Sequence, residues 1–177
     1  SIVYEKLPSE IRVNFTYTRK TAERRRKMKK VDIYTDGACS GNPGIGGWCA
    51  ILIYNGIEKT ISGFNKQTTN NRMEVFAIIQ GLAALKERCE VTIYSDSAYA
   101  VNAIENGWLE SWKRNGWRTG DNKEVKNIDL WNDLSLRMSE HNVRFVKVKG
   151  HADNEYNNLC DKTARAEINK CRTASGV

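Results

Sequence analysis

VDIYTDGACSGNPGIGGWCAILIYNGIEKTISGF, residues 31–64, reads as three strands in succession. The first runs through Val31, Ile33 and Thr35 and ends at the turn-rich Gly41-Asn42-Pro43-Gly44. The other two, Gly47 to Tyr54 and Ile57 to Phe64, are rich in β-formers. They are joined by Asn55-Gly56, whose tolerance of left-handed backbone suits a two-residue hairpin.

Outward from this hairpin set the pattern turns to alternating helix and strand. Residues 70–87 open with a capping Asn and then run apolar on most faces, which predicts a helix buried between a sheet and another helix. Val91 to Ser95 reads as a strand, 97–106 as a helix, and 127–140 as a helix carrying Ile128, Trp131, Leu134, Leu136 and Met138. Val143, Phe145 and Val148 make a last strand and 157–170 a last helix. A hairpin set feeding βαβ crossovers implies an α/β domain with a mixed sheet and helices on both faces. Residues 108–126 (WLESWKRNGWRTGDNKEVK) interrupt the pattern with three Trp and five Lys/Arg, as a basic protruding helix-loop would.

Length and charge set limits on this reading. With 177 residues, 40% of them hydrophobic, the chain can bury one core of ordinary size. The net charge of +7 resides wholly in residues 1–30, which hold ten Lys/Arg against three acids; the remainder is balanced. A nucleic-acid surface on the body must therefore come from local clustering. Five cysteines without a C-x-x-C pair, and two histidines away from zinc-ligand spacing, point to free thiols in a reducing cytoplasm. No apolar run approaches the ~20 residues of a membrane span, and no apolar stretch marks a secretory signal. The glycine-rich turn 41–47 lacks a Gly-Lys-Ser/Thr ending and leads into a strand, which excludes a P-loop.

Four carboxylates fall at strand ends or on helix faces: Asp36 near the C-terminal end of the first strand, Glu74 in the first turn of the long helix, Asp96 ending the fourth strand, Asp161 in the last helix. Hard oxygen ligands suit Mg²⁺ or Mn²⁺, and two such ions about 3.5–4 Å apart can drive phosphodiester cleavage. Each acid alone has an ordinary alternative: Asp36 and Asp96 as turn formers, Glu74 as a first-turn acid, Asp161 as a solvated helix residue.

Six strings in order decide between these readings: YTDGACSGNPGIGGW (34–48), TTNNRMEVFAII (68–79), YSDSAYA (94–100), WLESWKRNGWRT (108–119), KEVKNIDLW (123–131) and VKGHADNEYNNLCDKTAR (148–165). In order and spacing the chain resembles the bacterial-type ribonuclease H family, type 1, over about residues 29–170. The resemblance implies a five-stranded mixed sheet and endonucleolytic hydrolysis of the RNA strand of RNA–DNA hybrids, leaving 5′-phosphate and 3′-hydroxyl ends. It implies that Asp36, Glu74, Asp96 and Asp161 bind metal, two Mg²⁺ with substrate present and Mn²⁺ as a substitute. It makes His151 the mobile-loop histidine that assists proton transfer or product release.

By the same resemblance Asn42 meets the RNA minor groove, where the 2′-hydroxyl distinguishes RNA from DNA. Cys39 is either a contact in that turn or a packed small residue. Thr69 with Asn127 forms a pocket for a DNA phosphate, and Asn70 and Asn71 touch bases or sugars, although a plain N-cap accounts for one of these helix-start residues. Tyr99, Trp108 and Trp112 with Lys113, Arg114 and Arg118 supply the aromatic and basic groove for the DNA strand, while Trp117 is expected in the core of the protrusion. Ala98, Ser111 and Gln67 depart from the family pattern and bear on substrate affinity.

The organisation expected is a basic extension (1–27), either a leader or linker or else a tethering arm built on Arg24-Arg25-Arg26-Lys27, a catalytic domain (28–172) and a short tail (173–177). The expected state is a cytoplasmic monomer with no obligate protein partner. The alternatives are the ribonuclease H domain of a reverse transcriptase polyprotein and a hybrid-binding module that does not cut.

Overall fold

The computed structural model describes residues 28–149 and 154–174. The extension 1–27 and His151 lie outside the described residues. Three strands come first, β1 (Lys29–Gly41), β2 (Gly44–Tyr54) and β3 (Ile57–Thr68), followed by helix α1 (Asn70–Ala83) and strand β4 (Cys89–Ser95). Helices α2 (Ala98–Glu105), α3 (Trp108–Arg114) and α4 (Ile128–Glu140), strand β5 (Asn142–Lys147) and helix α5 (Glu155–Ala174) complete the order.

The sheet order is β3-β2-β1-β4-β5, with β1–β2 and β2–β3 antiparallel and β1–β4 and β4–β5 parallel. Tight turns join the antiparallel strands; each parallel pairing needs a helical crossover, and α1 and then α2–α4 supply them. This is the mixed five-stranded sheet expected from the sequence. The strands run longer than their apolar cores, since β3 continues four residues past Phe64 by pairing with β2. The long helix stops at Ala83, short of residue 87, and the last helix extends to Ala174, into the expected tail.

Period-two alternation sorts the strands onto two cores. Val31 and Ile33 of β1, Ala50 and Leu52 of β2, and Val91 and Ile93 of β4 face α1, whose Val75, Ile78, Ile79 and Leu82 pack on them, with Leu130, Trp131 and Leu134 of α4 behind. Burial of α1 on both sides explains its apolar sequence on most faces. Trp131 is fully buried, and its Nε1 donates to the Lys126 carbonyl at 3.1 Å, so its polar atom is satisfied. On the opposite face Ala38, Cys49 and Ile51 pack against Cys160, Ala164 and Ile168 of α5. The approach is close because of Gly47: a Cβ there would stand 2.0 Å from the Ala164 carbonyl oxygen.

The basic interruption is a short helix and a loop closed by an Arg118–Glu124 bridge. Leu109 and Val125 anchor it, and Trp117 packs half-buried against the core. Trp112 does so too, its ring 5.6 Å from Trp131 and 6.3 Å from Trp108, which is itself exposed. Of the two channel tryptophans expected, one is thus largely a packing residue.

Candidate active site

Parallel pairing of β1 with β4 puts Tyr34 opposite Tyr94, their rings stacked at 4.4 Å. Two residues further along each strand direction stand Asp36 and Asp96, so this register sets the two carboxylates side by side where β4 ends and its pairing with β1 stops, at the carboxyl edge where open α/β sheets bind their ligands. Helix α1, capped at Thr69, delivers Glu74 from its second turn, one step past the first-turn position expected from the sequence, and α5 delivers Asp161. All four acids line one cleft of about 360 Å³ with Asn70, Asn71, Ser97, Tyr99, Asn157 and Arg165.

Each carboxylate is held differently. Asp36 is buried, and its Oδ1 accepts the Gly37 N–H at 2.7 Å. Glu74 Oε1 accepts from Asn70 Nδ2 at 2.8 Å, and its Oε2 accepts from the Ser97 hydroxyl. Asp161 Oδ1 accepts from Arg165 Nε at 2.7 Å. Burial, then repulsion from Asp96 with Asp161 and Glu74, pushes the Asp36 pKa up to about 7 against the pull of the Gly37 N–H. Burial and then Asp96 raise Glu74 as well, opposed by Ser97 and Asn70.

These four acids are a set of hard oxygen donors short of positive charge, and they fit a divalent cation. They line the cleft without yet closing on one point: among the described residues no three His, Cys, Asp or Glu side chains form a ready ligand cage. The reason is local. Both Glu74 oxygens are engaged, Asp161 is drawn to Arg165, and like charges repel.

Ser97 does two jobs, since its hydroxyl oxygen also accepts the Ala100 N–H at 3.1 Å as the N-cap of α2. Ser97→Ala should cost about 1 kcal/mol of stability from the lost cap. Ser97→Thr should restore most of it, with thermal melts of the three proteins as the check.

Beside the cleft, Thr69 is the N-cap of α1, where the sequence suggested Asn70; its Oγ1 accepts the Arg72 N–H at 3.4 Å. Arg72 then reaches across to Asn127 Oδ1 at 3.1 Å and pairs through both guanidinium nitrogens with Asp129, at 3.0 and 2.6 Å. Asn127 in turn donates to Tyr99 Oη at 3.0 Å and sits in left-handed backbone. Thr69, Tyr99 and Asn127 are therefore brought together through Arg72, which the sequence reading missed. The signal was its place in TTNNRMEV, three residues after a capping Thr and about 100° around the helix from the buried Met73. Arg165 was missed too, although it follows Asp161 by one helical turn.

Asn42 is exposed and its Oδ1 accepts the Asn70 N–H at 3.4 Å, tying the glycine turn to the start of α1, and Asn71 is exposed at the cleft. Cys39 Sγ donates to the Thr68 carbonyl at 3.4 Å and is half-buried. On α3, Lys113 is paired with Glu110 at 3.0 Å and Arg114 is exposed.

The family model described as RNase H matches residues 28–169. A curated protein named Ribonuclease H from Acetivibrio thermocellus is 62% identical over 143 residues, 81% of this chain and 97% of its own length. Among solved structures, LC9-RNase H1, a type 1 RNase H with the type 2 active-site motif, aligns with a TM-score of 0.72 at 25% identity over 81% of this chain and 74% of that one. LC11-RNase H1 in complex with an RNA/DNA hybrid aligns with a TM-score of 0.62 at 23% identity, over 80% of this chain and 98% of that one, a likeness of fold.

Proposed function

The chain belongs to the ribonuclease H family, and from that membership we propose that its acidic cleft hydrolyses the RNA strand of RNA–DNA hybrids, leaving 5′-phosphate and 3′-hydroxyl ends. The observation that carries this reading is the convergence of Asp36, Glu74, Asp96 and Asp161, from four separate elements, on one cleft. The family works with divalent metal ions; here the ions are Mg²⁺, two with substrate bound, with Mn²⁺ as a substitute. Bound between the acids, they would lower the pKa of an attacking water and offset charge on the leaving oxygen.

The chain's own residues do the rest. Asp36, Glu74, Asp96 and Asp161 hold the ions, while Asn70 and Ser97 fix the orientation of Glu74. Thr69, Arg72 and Asn127 receive a DNA-strand phosphate, for which the Arg72 guanidinium can give up part of its pairing with Asp129. Asn42, Asn71 and Cys39 lie toward the RNA strand. Tyr99, Trp108, Lys113 and Arg114 bear on the DNA strand, with Trp112 supporting Trp108 from behind. His151 takes or releases a proton as product leaves. We place the enzyme in the cytoplasm as a monomer, a reading supported by five free thiols; no helix among the described residues is long and apolar enough to cross a membrane.

The test is a hybrid labelled on its RNA strand, incubated with and without Mg²⁺, beside double-stranded RNA and double-stranded DNA. Metal-dependent cutting confined to hybrid RNA is expected. Tight hybrid binding without cutting would replace this reading with that of a binding module.

A further inference from the structure

Asn157 sits in the first turns of α5, four residues before Asp161 and so on the same helix face. Its residue surface is 3% exposed, and it lines the acidic cleft. Among the described residues its buried Oδ1 has no hydrogen-bond partner. A buried carbonyl oxygen without a donor is uncommon, because desolvation is not repaid. The four acids of this cleft are acceptors as well; the Asn70 amide and the Ser97 hydroxyl are given to Glu74, and Arg165, the one cation among the described lining residues, is committed to Asp161. What such an oxygen lacks is a cation or a cation-bound water.

We propose that Asn157 Oδ1 is a further oxygen donor to the divalent-cation site beside Asp161, a neutral ligand added to the four acids. This rests on reading the cleft as a cation site. A neutral oxygen adds binding without adding to the repulsion that already raises its acidic neighbours, which is the advantage of an amide here over a fifth carboxylate. The backbone prepares the position: the Asn157 N–H donates to Asn154 Oδ1 at 3.1 Å, fixing the first turn of α5. The preparation has a cost to the metal-free protein, since the orphan oxygen stays buried until a cation arrives.

That cost separates this role from a structural one. Calorimetric titration of substrate-free protein with Mn²⁺, together with melts in EDTA, would compare the wild type with Asn157→Ala and Asn157→Asp. Asn157→Ala is expected to weaken Mn²⁺ binding by roughly tenfold, within the 10–100-fold range typical of lost metal-site partners, while the melting temperature in EDTA holds or rises. Asn157→Asp, of the same shape with a charged oxygen, should bind Mn²⁺ at least as tightly as the wild type. Unchanged Mn²⁺ affinity in Asn157→Ala, or Asn157→Asp no better than Asn157→Ala, would overturn the proposal and leave the cation site standing. A wild type that binds no Mn²⁺ would overturn both.

Discussion

Replacing Asp36 by asparagine is expected to abolish cleavage and, in EDTA, to raise the melting temperature. Both effects have one source. Asp36 is buried within β1, and burial and the other acids disfavour its charge enough to push its pKa up to about 7 from an ordinary 3.8. For an acid raised on folding, the stability present below the unfolded pKa is lost as pH climbs through the folded one. The metal-free wild type should therefore weaken between about pH 4 and pH 7, while the variant does not. At pH 8 the gap should be on the order of 2–4 kcal/mol, or several degrees in Tm. Below about pH 4 the two melts should coincide. The Gly37 N–H still has an oxygen to bond in the variant, so the backbone there is undisturbed. Cleavage should fall by more than the roughly 10–100-fold that loss of an outer-shell partner costs, and added Mg²⁺ should stabilise the wild type far more than the variant. Melts at pH 4 and pH 8 with and without Mg²⁺, alongside the cleavage assay, check each part. A variant less stable than the wild type at pH 8 in EDTA would show that Asp36 is not under electrostatic strain.

Gly37→Ala is the second large effect. A Cβ at this position would lie 2.3 Å from the Glu74 backbone nitrogen and 2.4 Å from the Met73 carbonyl carbon, so it meets main chain that cannot swing aside. Helix α1 has to move off β1, and the part that moves carries Glu74. We expect a loss of about 3 kcal/mol, at the upper end of ordinary overpacking, and a loss of cleavage on the order of a hundredfold from misplacement of one acid against the others. Gly120→Ala is the control: nothing lies within 4 Å of a Cβ there, so its change should stay within about 0.5 kcal/mol. Denaturant melts and initial rates on the three proteins are sufficient. A stable, fully active Gly37→Ala would mean that α1 and β1 are not in the contact described.

Much of this was open to reading along the chain. The β1–β3 set showed itself through turn chemistry, which is local: Asn55-Gly56 forms the hairpin in the structure, Asn55 and Gly56 both with positive φ. The hydrophobic run of α1 was legible because a helix covered on both sides must be apolar nearly all round. Boundaries were less legible. β3 reaches Thr68 through hydrogen bonds to β2, and the polar Asn65-Lys66-Gln67 before it carries no strand preference to announce the extension. The cap of α1 fell to Thr69 because two adjacent polar residues can both cap and only the backbone decides between them.

The four acids were identified by motif: Asp36 beside Gly37 and Asp96 beside the capping Ser97, with Glu74 and Asp161 placed by the strings around them. Arg72, Arg165 and Asn157 were not. A guanidinium bridging to Asn127 and Asp129, or an amide oxygen left without a donor, is a relation between residues far apart in the chain or between a side chain and its surroundings. The sequence by itself thus determined the elements and the two-faced sheet, which follow from periodicity and turn stereochemistry, while the four carboxylates were singled out by the family resemblance of the strings that hold them. Only the tertiary structure decided which oxygens are already bonded, which is orphaned and how far Asp36 is strained, because burial and Coulomb repulsion depend on distances that exist only once β1, β4, α1 and α5 meet.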